Sequence, residues 1–123
     1  MNSIAVMTHP AFSSGRVAVI TGAATGIGLA TAQRLRSFGM KLALADNDEA
    51  ELAAVVKELA STGSAADVIG VPTDVSQLAQ VERLRDRAWQ ELGPVSVLMN
   101  NAGTGLGSGP WERYSEWQRV LEV

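Results

Sequence analysis

The chain has no cysteine, which excludes disulfide bridges and thiol chemistry and suits a cytoplasmic protein. Its only histidine, His9, lies in the N-terminal segment, so it reads as inert, and no metal-ligand set is evident. Basic residues are not in excess: a formal net charge of −3 offers no footprint for nucleic acid. No apolar stretch approaches the roughly 20 residues that a membrane-spanning helix needs. The segment Met1 to Ser14 has no basic start, and its apolar part, Ile4 to Met7, is too short for a signal peptide. Residues 1–14 therefore read as a flexible leader. The 123 residues hold at most one domain, occupying positions 15–123.

What is present is glycine in a telling place. Thr21-Gly22-Ala23-Ala24-Thr25-Gly26-Ile27-Gly28 comes after the apolar run Val17 to Ile20 and opens a helical pattern. Glycine serves where φ is positive or where a side chain would block a ligand. A helix start presents unpaired N–H groups and the positive end of the macrodipole, so strand, turn and helix together favour a phosphate. The spacing is G-x-x-x-G-x-G, not the common G-x-G-x-x-G, and a glycine turn by itself is equally explained by tight geometry. Its weight comes from the ends of the later strands.

The second apolar run, Leu42 to Ala45, ends in Asp46. An acid about 20 residues past such a turn, at a strand end, can bind both hydroxyls of an adenosine ribose. The same carboxylate would repel a 2′-phosphate, and Asn47 and Asp48 come next rather than arginine, which favours NAD over NADP. A purely structural role competes, since Asp46, Asn47 and Asp48 all suit a helix N-cap.

From Arg16 onward strands and helices alternate. The pattern predicts strands at Val17–Ile20, Leu42–Ala45, Val68–Val71 and Val95–Met99. Helices are predicted over Gly26–Phe38, from Asp48 to Ala60, and from a Ser76 N-cap to Leu92. Near-continuous apolar strands are buried on both faces, as in parallel sheets, and the alternation argues for a doubly wound α/β fold. In such a sheet the ligand sits beyond the carboxyl ends of the strands, where the strand order reverses. With the order 3-2-1-4, strands one and four flank that crevice. Thr73-Asp74-Val75 comes after strand three, and Asn100-Asn101-Ala102-Gly103 after strand four.

These residues resemble the short-chain dehydrogenase/reductase family from Arg16 to Val123. Gly22, Thr25, Gly26, Ile27 and Gly28 look like its cofactor turn, and Asp46 matches the acid of its NAD-preferring members. Asp74 and Val75 resemble its adenine contact, while Asn101, Ala102 and Gly103 resemble the motif that steadies the sheet and lines the cofactor. The resemblance implies a Rossmann-like fold, incomplete here at about four strands. It also implies hydride transfer between a nicotinamide cofactor and a small alcohol or ketone, and a homo-oligomer. The family's chemistry uses a Tyr with a Lys four residues later, plus a Ser and an Asn. None of these can be found here: the single tyrosine, Tyr114, has Gln118 four residues on. It is better explained by packing beside Trp111 and Trp117.

The Asn, Ser, Tyr and Lys are expected beyond Val123, so the 123 residues read as the front of a longer enzyme that binds cofactor but does not catalyse. Ser115 and Gln118 form a capping-box pattern for a helix from about Glu116. Two alternatives stay open: a non-catalytic nucleotide-binding or dimerising module, and a methyltransferase fragment using S-adenosylmethionine.

Overall fold

A computed structural model describes residues 9–103 of the chain. Four apolar runs become parallel strands: β1 (Val17–Thr21), β2 (Lys41–Asp46), β3 (Val68–Pro72) and β4 (Val95–Met99). They lie in the order β3-β2-β1-β4. Three helices make the crossovers: α1 (Gly26–Ser37), α2 (Glu49–Ala60) and α3 (Leu78–Glu91). This is the Rossmann-like arrangement that the alternating pattern implied.

Side chains alternate along the strands, so each strand feeds two cores. Ala18, Ile20, Leu42 and Leu44 pack against Ala32 and Leu35 of α1 and Leu52, Val55 and Leu59 of α2. Val17, Val19, Ala43, Ala45 and Val71 pack on the opposite face against Leu84 and Ala88 of α3 and the adjoining Leu92. Helix α2 shows why the amphipathic pattern suffices: its buried residues Leu52, Val55 and Leu59 recur at helical spacing on one side. Asp48 caps it by accepting the Glu51 N–H at 3.1 Å.

Two features depart from the sequence reading. Ser76 does not cap α3; its hydroxyl and amide both turn back to Asp74 Oδ1, at 2.7 and 3.0 Å, and the helix begins at Leu78. A short Asx turn has outcompeted the cap. Residues 9–14, read as part of a free leader, are held against the sheet. Pro10–Phe12 forms a 3₁₀ turn whose Ala11 N–H is accepted by His9 Nδ1, and Phe12 joins the core beneath α1 and α2. Ser96 Oγ donates to Ala11 O at 2.7 Å, beside a register shift between β1 and β4.

Arg36, of which the sequence reading said nothing, is a charged residue of α1 that is buried. Its Nε donates to Leu59 O and Thr62 Oγ1, one terminal nitrogen to Met40 O and the other to Ser64 O. The guanidinium fork thereby closes the C-terminal end of α2 onto α1. The helix expected from Glu116, with its Ser115–Gln118 capping box, and the packing of Tyr114 with Trp111 and Trp117 lie outside the described residues.

Candidate functional site

The carboxyl ends of the strands converge on one open cavity of about 540 Å³. Its walls include Gly22, Thr25, Gly26 and Ile27 from the turn after β1, and Asp46, Asn47 and Asp48 from the end of β2. Thr73, Asp74 and Val75 come from the end of β3, and Asn101, Ala102 and Gly103 from the end of β4. Every residue expected at the site except Gly28 lies on this wall.

Gly28 sits behind it. A Cβ there would stand 2.1 Å from Gly22 O and 2.7 Å from Asn101 Nδ2. Helix α1 can therefore start this close to the strand only with no side chain at that position. Gly22 and Gly26 have φ of +65° and +56°, which turn the chain sharply into the helix. Thr25 at the N-cap makes no side-chain cap bond. The start of α1 is thus left without a side-chain cap where Thr25, Gly26 and Ile27 line the cavity, and an anion there would be a natural acceptor for its first-turn amides.

The turn is braced from both neighbouring strands. Asp46 Oδ2 accepts the Ala24 N–H and Oδ1 accepts the Asp48 N–H, each at 3.0 Å. Both bonds fix the carboxylate without using its remaining lone pairs. On the other side, Thr21 Oγ1 accepts the amides of Asn101 and Ala102, each at 3.0 Å, and donates to Met99 O. Asn101 Nδ2 donates to Gly22 O at 3.2 Å. Sequence reasoning singled out Asn101 but missed Thr21, whose hydroxyl joins turns that are 80 residues apart in the chain.

At the far end, Thr73 is buried, its N–H donating to Asp46 O and its hydroxyl to Val71 O. The neighbouring Asp74 is held below the ordinary carboxylate range, chiefly by the Ser76 hydroxyl and then by the Ser76 amide, with burial opposing. The arrangement suits an elongated ligand with a central anion. The open first turn of α1 and the bare backbone of Gly22 would cradle its phosphates, and Asp46 would accept from hydroxyls beyond them.

A second groove of about 610 Å³ lies between α3 and β4 and shares Val75 and Ala102 with the first cavity; its walls are mainly apolar side chains such as Val81, Trp89 and Leu98, with Thr21, Arg85 and Asn100 as the polar ones. Among the described residues no helix is long and apolar enough to cross a membrane, and no cluster of three His, Cys, Asp or Glu is placed to hold a metal.

The chain matches the family model for short chain dehydrogenase over residues 16–123. It is 38% identical over 117 residues to 3beta-hydroxysteroid dehydrogenase 2 of Eggerthella lenta, which covers 94% of this chain and 44% of that protein. Among solved structures it is similar to a short chain dehydrogenase/reductase from Burkholderia phymatum in complex with NAD. The identity there is 48% and the TM-score 0.82, covering 91% of this chain and 39% of that one. A metagenomic short-chain oxidoreductase in complex with NADP is 33% identical with a TM-score of 0.79, covering 91% of this chain and 51% of that one. The chain spans less than half the length of the curated relative, at 44%. These matches do not favour the module or methyltransferase alternatives.

Proposed function

This chain belongs to the short-chain dehydrogenase family, and from that premise we propose that it forms the adenosine and pyrophosphate end of an NAD site. The whole protein would be an oxidoreductase acting on a small alcohol or ketone. The observation that carries the cofactor choice is Asp46, held by two amides on the same cavity wall as the open first turn of α1. Gly22, Thr25, Gly26 and Ile27 would take the pyrophosphate, with Gly28 permitting the approach. Asp46 would take the ribose hydroxyls, Asp74 and Val75 the base, and Asn101, Ala102 and Gly103 the nicotinamide side.

When bound, the nicotinamide ring would give or take the hydride exchanged with the alcohol or ketone. The residues here bind and orient. Asp46 would also discriminate: among the described residues no lysine or arginine lines the cavity to balance a 2′-phosphate. Unit like charges about 4 Å apart repel by about 4 kcal/mol at an effective dielectric of 20. Even a fraction of that exceeds the 1.4 kcal/mol that separates affinities tenfold. A cytoplasmic location, argued from the lack of cysteine, and a homo-oligomeric whole protein, carried over from the family, complete the reading.

Titration by tryptophan fluorescence tests it. NADH is expected to bind at least about tenfold more tightly than NADPH, with Asp46→Ala weakening NADH and narrowing the gap. Equal affinities in the unaltered chain would overturn the assignment.

A further inference from the structure

Gln80 occupies the third position of α3, where a capping box would send its side chain back to the N-cap amide. It reaches further. Its Oε1 accepts the N–H of Asp74 at 2.8 Å, three residues beyond the N-cap Gln77. Asp74 is pinned elsewhere too: its carbonyl accepts the Gln77 N–H at 3.0 Å, and Oδ1 accepts the amide and hydroxyl of Ser76. Among the described residues Oδ2 has no partner, and Asp74 and Val75 line the cofactor cavity.

The strand order gives that free oxygen a direction. The phosphate cradle lies at the end of β1 and the ribose acid ends β2, so the base beyond the ribose falls over the end of β3. We propose that Gln80 is a positioning residue for base recognition. By fixing the Asp74 backbone it sets where Oδ2 and Val75 meet the base, and so favours a purine bearing an exocyclic amine. A carboxylate accepts from such an amine and is repelled by a carbonyl oxygen at the same place. The proposal rests on the reading of the cavity as an NAD site.

The test compares NADH with its hypoxanthine analogue, which replaces the adenine amine by a carbonyl oxygen. Affinities are measured for the unaltered chain, Gln80→Met and Gln80→Glu, with thermal melting monitored in parallel. The unaltered chain is expected to prefer NADH. Gln80→Met, similar in size but without the acceptor, is expected to lose about fivefold in NADH affinity and most of the base preference. Gln80→Glu keeps an acceptor oxygen and is expected to restore both. Should Gln80→Met fail to fold, Gln80→Asn, one methylene too short to reach, takes its place.

Lowered melting with the base preference intact would reduce Gln80 to a structural role and overturn the proposal. So would an unaltered chain that binds both dinucleotides equally well. Failure to bind NADH at all would overturn the NAD reading itself, and the base assignment with it.

Discussion

Thr21 puts one hydroxyl where two strand ends must be joined. The residue is buried, and its Oγ1 receives both the Asn101 and Ala102 amides. A valine would keep the shape and the strand preference while leaving the part-buried Ala102 N–H without its acceptor and the Asn101 N–H with Met99 O alone, and an unsatisfied donor costs about 1–3 kcal/mol. Thr21→Val is therefore expected to lower unfolding free energy by about 2 kcal/mol in urea denaturation, with Thr21→Ser recovering most of the loss. Equal stabilities of the valine and serine variants would refute the assignment. The same substitution should loosen the turn carrying Asn101 and weaken NADH, because the hydroxyl and the Asn101 amide together tie the two sides of the cavity.

At the scale of elements, the critical contact is the start of α1 against the end of β1. Two glycines there act through different physics, and substitution separates them. At Gly26 an added Cβ meets nothing within 4 Å, so only the positive φ is penalised, at about 1–2 kcal/mol. At Gly28 the Cβ would strike the carbonyl of Gly22, and the helix start has to move. Gly28→Ala is expected to cost about 1–3 kcal/mol as overpacking and to weaken NADH more than tenfold. Gly26→Ala should retain more binding, and titration of the two variants side by side checks the order.

The elements themselves were legible because each strand is an apolar run and α2 carries its buried stripe at helical spacing. The Asp48 cap was legible as well, from a short polar residue placed between a strand and a helix. The roles of four residues were not. Ser76 resembles a cap in sequence, yet Asp74 two residues earlier offers a stronger local acceptor. Arg36 looks like an exposed helix residue, because its carbonyl partners at Leu59, Met40 and Ser64 meet only after folding. Gln80 and Thr21 carry no signature of their own, since each serves backbone amides whose positions the tertiary fold decides.

For the whole molecule, the proposed reading has the sheet separate holding a cofactor from using it. On that reading the ends of β1, β2 and β3, which all line the cavity, would supply the cradle, the ribose acid and the base contact, and the nicotinamide end would lie toward β4. At that end the described residues Asn100 to Gly103 offer an amide, small side chains and backbone, with no group suited to move a proton. The one tyrosine of the 123 residues has Gln118 four positions later, which cannot lower a phenol's pKa as a lysine would. Binding and turnover should therefore come apart. A mass-verified 123-residue chain is expected to quench or transfer tryptophan fluorescence saturably with NADH. With NAD and any simple alcohol it should generate no reduced nicotinamide absorbance. Clear reduction would mean that a proton acceptor lies among residues assigned only to binding. Saturable binding without reduction would show that these residues hold the cofactor without themselves moving the proton.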